Sequence, residues 1–468
     1  MYFNSISFLF FFFIVFIMYW SITRLKNITY SNLFLLVSSY IFYSFWDWRF
    51  LGLIILSSIS DYIIGIKIFQ SKKNNHKKLL LRLSLILNIG LLFTFKYFNF
   101  FINSFIDVFS ISDGVSLNII LPVGISFYTF QTLSYTIDIY KGKLKPSKNI
   151  ISFLTFVSFF PQLVAGPIER ASNLLPQFNS LRSFNFKNTL HGISLITYGL
   201  FKKIVIADKL AIYVNSVFLN VDSYNSFSLI IASVFFSFQI YCDFSGYSLI
   251  ARGLSKLLGF ELMVNFSQPY LATSFRDFWR KWHISLSTWF RDYLFIPLGG
   301  SNRTFGRIIY NIFIVFIISG LWHGANWTFI CWGFFHGFFL VLERLIIKYY
   351  YKTIEFIPNF LKTYLVFIIV NCLWIFFRSK NIDESLLYFN KIFEFNFSFN
   401  LNMICAHKGP FNLILSISFI ILLLLSYKLP KDLKFKKSNN YLLFNIITIL
   451  IILFLGTNGE NEFIYFQF

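Results

Sequence analysis

The feature that most constrains this chain is a series of apolar runs, each near the length of a bilayer crossing, with almost all of the charge gathered between them. A helix spanning a hydrocarbon core needs about 20 apolar residues. Runs of that order occur near residues 6–23, 29–46, 50–70, 83–105, 119–140, 226–247, 308–346 (room for two helices), 361–377, 411–428 and 441–456. The pattern predicts an all-α polytopic membrane protein. Composition agrees: 56% of the 468 residues are hydrophobic and only 13% are charged, against about 25% charged in soluble domains. An ordinary soluble enzyme is excluded, because apolar surface on this scale is tolerated only against lipid.

The net charge of +21 comes from 41 Lys and Arg against 20 Asp and Glu. A polynucleotide groove would line these charges up, whereas here they sit in short clusters between apolar runs, so no nucleic-acid partner is implied. The clusters are Arg24/Lys26, Lys72 to Arg82, Lys141 to Lys148, Lys348/Lys352 and Lys428 to Lys437. Basic loops stay on the cytoplasmic side and meet lipid headgroups there. The acidic-leaning connections at Asp107/Asp113, Asp383/Glu384 and Glu460/Glu462 fall on the opposite ends, which puts both termini outside. The first run has no basic residue before it, so it reads as an anchor rather than a cleaved signal. Cys242, Cys331, Cys372 and Cys405 are far apart with no C-x-x-C pair, which argues against a disulfide framework and a zinc site.

The alternation of sides does not close between Asn149 and Arg307, where Pro161, Pro167, Pro176, Pro269 and Pro297 interrupt moderately polar segments. Irregular backbone at membrane depth survives only where protein buries it or a wet cavity meets it. The expected organisation is one domain over 1–468: N-terminal spans (1–148), a catalytic centre with re-entrant helices (149–346) and C-terminal spans (347–468).

Ionisable residues in apolar surroundings are costly and default to functional candidates. In FQIYCDFSGYSLIARGLSKLLG (238–259), Asp243 lies near Arg252, as a helix-orienting pair or a functional acid. In FRDFWRKWHISLSTWFRDYLFIPLGG (275–300), one continuous helix would align Arg276, Arg280, His283 and Ser287 in a polar stripe, with Asp277 and Lys281 an i, i+4 pair. This reads either as an interfacial anchor with a Trp belt or as a cationic face for anionic groups beside His283. In ISGLWHGANWTFICWGFFHG (318–337), His323 sits between Trp322 and Gly324, with Asn326 close by and His336 in weaker company. A buried imidazole stays neutral and suits general-base work near pH 7.

The chain has no G-x-S-x-G elbow, no Walker loop, no G-x-G-x-x-G and no H-E-x-x-H. What remains is a transferase using histidine without a metal, or an acyl-group or glycan transporter. A transporter would show matching interrupted helices in two halves, and the Arg/Trp/His-rich centre has no counterpart.

These segments, with SYIFYSFWDWRF (39–50), FKYFNFF (95–101), LPVGISFYTFQTLSYTIDIY (121–140), FFPQLVAGPIER (159–170) and FIYFQF (463–468), resemble the membrane-bound O-acyltransferase family in order and along nearly the whole chain. The bacterial branch containing the alginate and peptidoglycan O-acetyltransferase membrane components is the nearest in pattern. The resemblance implies about eleven spanning helices plus re-entrant ones around a central tunnel. His323 then matches the family's catalytic histidine and His283 the branch's second one. Arg276, Arg280 and Lys281, with Trp322, Asp243 and Asn326, become donor- or substrate-binding candidates. No tightly bound cofactor or metal is implied. The donor is acetyl-CoA or another acyl thioester from the cytoplasm, the acceptor an extracytoplasmic polysaccharide, and the partner a periplasmic or membrane-anchored esterase-like acetyltransferase.

The sidedness is testable with a reporter that is active only outside the cytoplasm. Fused after Phe468 it is expected to be active, and fused after Lys437 inactive; the reverse pattern would invert the orientation.

Overall fold

The computed structural model describes residues 1–109, 119–164, 166–398, 400–457 and 463–464. Asp113, Ala165, Glu460, Glu462 and residues 465–468 of the quoted patterns lie outside the described residues, as does the side chain of Lys352. Every strand-or-helix element among the described residues is helical. Backbone in hydrocarbon must satisfy its polar groups within the segment, and a helix does so everywhere except at its ends. Some of those ends are closed by short polar side chains: Asn27 accepts from the N–H groups of Thr29 and Tyr30, and Asn149 from those of Ile151 and Ser152.

Nine helical stretches among the described residues are long and apolar enough to cross a membrane. The N-terminal ones are α1 (Ile6–Thr23), α2 (Ile28–Asp47) running through a tight turn into α3 (Leu51–Gln70), and α4 (Asn74–Leu92) running into α5 (Phe98–Phe109). The predicted run at 119–140 contributes α6 (Ile125–Tyr140), only 16 residues long and buried along most of its length. A shorter helix, α7 (Ile150–Ser158), follows.

Two long helices differ from expectation. α8 (Phe186–Leu200) continues through a wide turn at Phe201–Ala207 into α9 (Asp208–Phe218), a 33-residue stretch that the predicted runs leave out because Lys202, Lys203 and Asp208 interrupt it, although it is apolar enough to cross a membrane. α10 (Ser226–Leu257) runs 32 residues, well past the predicted end at 247, and takes in Arg252 and Lys256. After it come α11 (Phe275–Lys281), α12 (Ile284–Phe290), α13 (Phe305–His323), α14 (Trp327–Phe356), α15 (Asn359–Arg378), α16 (Ile382–Phe393), α17 (Pro410–Ser426) and α18 (Ser438–Leu455).

The chain forms two compact units whose segments interleave in sequence: Met1–Ile196 with Ser248–Met263, and Thr197–Tyr247 with Val264–Phe468. In the first, α3, α4 and α6 are clamped by a buried polar cluster. Ser84 donates to Asp61 at 2.6 Å, Asn88 donates to the other carboxylate oxygen at 2.7 Å, and Ser57 and Thr132 donate to the Asn88 side-chain amide oxygen. Interhelical hydrogen bonds of this kind replace the hydrophobic driving force that lipid removes.

In the second unit the closest helix pair is α13 with α14. At their crossing a Cβ on Gly320 would strike the Phe329 carbonyl, and one on Gly333 the Phe316 carbonyl. Backbone fills the space a side chain would need, so these glycines set the separation of the two helices that carry His323 and His336. Gly333→Ala is expected to cost about 1–3 kcal/mol through overpacking, read as a lower melting temperature in detergent. An unchanged melt would show that the hairpin gives way without cost.

Candidate active site

The predicted single helix over 275–300 is broken in its middle. α11 ends at Lys281 and α12 starts at Ile284, because His283 adopts a left-handed backbone (φ 41°, ψ 55°). The expected stripe from Arg276 to Ser287 is therefore not continuous: the break turns His283 inward, to full burial, while Arg276 and Arg280 stay exposed. A non-glycine residue in this region is strained, and here the surroundings hold it. Asn265 braces the break: its carbonyl accepts from the Ile284 N–H at 2.9 Å, and its side-chain oxygen accepts from the N–H and hydroxyl of Ser285. The Ser267 N–H donates to the Lys281 carbonyl at 2.9 Å. Two orphaned helix ends thus find partners in one extended loop.

The His283 ring completes the junction. Its Nδ1 accepts from the Leu286 N–H at 3.3 Å and so caps α12. Burial pushes the imidazole down from 6.5 to about 3, so it is neutral across physiological pH. With Nδ1 accepting, the proton sits on Nε2, which has no hydrogen-bond partner among the described residues. The ring packs on Phe244 at 4.7 Å and on Trp322 at 5.9 Å.

His323 ends α13 and is buried against the same tryptophan, 5.0 Å from the Trp322 ring. Trp332 and Phe377 lie 5.0 and 5.2 Å from it. The structure therefore places the two histidines that the sequence separates by forty positions against one tryptophan, Trp322.

Arg276 and Arg280 line a cavity of about 770 Å³, together with Arg291 and Arg344 and an apolar wall from α13 and α14. Four guanidiniums and one carboxylate, Glu343, make it cationic. Glu343 accepts from the backbone N–H groups of Phe275 and Arg276 and so ties the start of α11 to α14. Lys281 is placed apart from this cavity's lining and pairs with Asp277 at 2.7 Å, the expected i, i+4 contact.

The remaining sequence candidates occupy structural positions. Asn326 accepts from the Thr328 N–H and donates to the Lys380 carbonyl. Asp243 pairs with Lys203 at 2.9 Å, not with Arg252, and Lys203 also meets Asp208 at 2.8 Å. Asp243 also accepts the Ile464 N–H at 2.7 Å, and Phe463 packs on Tyr247 and Phe244. Sequence reasoning missed Lys203, Asn265, Glu343 and Arg344. A signal existed for two of them, since Glu343 and Arg344 are ionisable residues at the end of a long apolar run. Asn265 carries no such signal, because its role is set by a turn of backbone distant in sequence.

Comparison with known proteins gives a consistent picture. Residues 143–382 match the family model of the membrane-bound O-acyltransferase family. The chain is similar to a peptidoglycan O-acetyltransferase of Helicobacter pylori, 39% identical over 77% of this chain and 73% of that one. It is similar to a probable alginate O-acetylase of Azotobacter vinelandii, 39% identical over 84% of this chain and 78% of that one. A teichoic acid D-alanyltransferase of Streptococcus thermophilus matches less, at 29% identity over 47% and 56% of the two chains.

A neutral buried histidine links stability to pH. The unfolded chain binds a proton on His283 below its ordinary value of 6.5 and the folded chain does not until about 3. The stability is thus present above 6.5 and is lost on acidification, by about 1.4 kcal/mol per pH unit within that window. Melting temperature measured from pH 7 to pH 4 is expected to fall less steeply for His283→Gln than for the unaltered protein. Parallel curves would show that His283 is protonated in the fold.

Proposed function

Because the chain belongs to the membrane-bound O-acyltransferase family, we propose that it takes an acetyl group from a cytoplasmic thioester, acetyl-CoA or another acyl donor, and passes it across the bacterial inner membrane to hydroxyls of an extracytoplasmic polysaccharide. The observation that carries this reading is the pair of buried imidazoles packed against Trp322, in the same compact unit as the arginine-lined cavity.

In this reading Arg276 and Arg280 hold the donor's phosphates by charge-assisted hydrogen bonds. His323 removes the proton of the acceptor hydroxyl as its oxygen attacks the thioester carbon. The C–O bond forms, the C–S bond breaks, and the leaving thiolate takes the proton from the imidazolium. His283 acts as a donor rather than a base, because its Nδ1 is engaged and its Nε2 carries the hydrogen. A fixed N–H in a dry site suits the oxyanion that develops during attack. The apolar walls keep water from the thioester. Asp243 and Asn326 have other partners and support the fold around this site. Lys281, outside the cavity lining, is paired with Asp277.

Peptidoglycan is the first acceptor, in line with the Helicobacter relative; alginate or another exopolysaccharide is the second reading, favoured by the larger share of this chain matched by the alginate O-acetylases. A separate periplasmic or membrane-anchored esterase-like acetyltransferase delivers the group to the polymer. A carrier without transfer chemistry would need neither histidine.

The deciding measurement is mass spectrometry of muropeptides and secreted glycans for a base-labile acetyl group. His323→Ala is expected to lower acetylation at least 100-fold, of the order general-base catalysis contributes. Near-normal acetylation by that variant would remove His323 from the reaction.

A further inference from the structure

Behind the arginine-lined cavity lies a histidine to which the reaction assigns nothing. The α14 residues that line the cavity, Leu340, Glu343, Arg344 and Ile347, follow one helix face. One turn deeper on that face stands His336. It is fully buried, 5.0 Å from the Trp279 ring and 6.4 Å from the Phe316 ring, and both of those side chains line the cavity.

The polar atoms here are out of keeping with a packing role. Neither nitrogen of His336 has a hydrogen-bond partner among the described residues, and the same holds for the buried indole Nε1 of Trp279. The neighbours of His336 are aromatic rings, including Phe275, Phe278 and Trp332. Burying such groups unpaired is costly, and a phenyl ring would fill the same space without that cost. A neutral imidazole offers one donor and one acceptor, and the indole offers one donor. An amide, with one carbonyl and one N–H, is the complement.

We propose that Trp279, which lines this cavity, and His336, buried against it, form an amide-reading site that hydrogen-bonds the pantetheine arm of the acyl donor. The inference rests on the reading of the cavity as the donor site. The arginines at the rim recognise phosphate, and a pantetheine arm carries two amides between its phosphate and its sulfur. Trp332 touches both His336 (4.7 Å) and His323 (5.0 Å), so an arm seated against His336 has its sulfur end directed toward the histidine assigned to the chemistry.

The test uses the full chain in lipid nanodiscs and two probes, acetyl-CoA and phosphate-free S-acetylpantetheine. Trp279→Phe and His336→Phe keep the ring and remove the hydrogen bonds; each is expected to weaken binding of both probes about tenfold, the size of one lost hydrogen bond in a buried site. His336→Gln, which still donates and accepts, is expected to bind both within about threefold of the unaltered protein. Arg276→Gln with Arg280→Gln is expected to weaken acetyl-CoA and leave S-acetylpantetheine unchanged. If both phenylalanine variants bind S-acetylpantetheine like the unaltered protein while the arginine pair still weakens acetyl-CoA, the amide-reading site is wrong and the donor site stands. If the unaltered protein binds neither probe, or the arginine pair changes nothing, the donor reading fails and this inference with it. Should His336→Phe not fold, Trp279→Phe against His336→Gln decides the question, equal affinity overturning the proposal.

Discussion

The left-handed turn at His283 is the constraint on which the candidate site depends. A helix that ran straight through 275–300 would keep Arg276, Arg280 and His283 on one exposed stripe. Reversing the backbone at one residue leaves the arginines at the cavity and sends the imidazole into the interior. Such a break exposes two sets of helix-end groups, and in a lipid-solvated protein those must find partners. Asn265 and the His283 ring supply them, so the strain of the turn and the neutral state of the imidazole come from the same arrangement.

Charge follows the same economy. Lys203 is buried against Asp208 and Asp243, and Lys202 lies beside Tyr241 and Ser245. Breaking such a pair is far more costly than never having made it, which ties the wide turn at Phe201–Ala207 to α10. Asp243 also takes the Ile464 N–H, so a residue near the chain's end is anchored on the same carboxylate. The excess of positive charge therefore has three destinations: connections between the apolar helices, buried pairs that join helices, and the arginines of the cavity.

Aromatic packing gives the second unit its rigidity. Trp322 touches both His283 and His323, and Trp332 reaches both His323 and His336. Rings with few rotamers hold neighbouring groups at fixed distances, which is what preorganised donors require. The glycine crossing of α13 and α14 works to the same end by removing the side chains that would push the helices apart.

Much of this protein was determined by local sequence. Apolar run length decided that it is a helical membrane protein, and the W-H-G and W-H-I-S segments marked the two histidines, because a polar residue in an apolar run is visible without any partner. Glu343 and Arg344 were legible on the same ground. The 33-residue stretch from Phe186 to Phe218 was harder to see, since Lys202, Lys203 and Asp208 interrupt its apolar run although its hydropathy still suffices for a crossing, and the ion pairs that hold Lys203 there emerge only in three dimensions. The partner of Asp243, the part played by Asn265 and the break at His283 were likewise decided in three dimensions. Each depends on which distant backbone or side-chain group comes within hydrogen-bond reach, and periodicity along one helix carries no information about that.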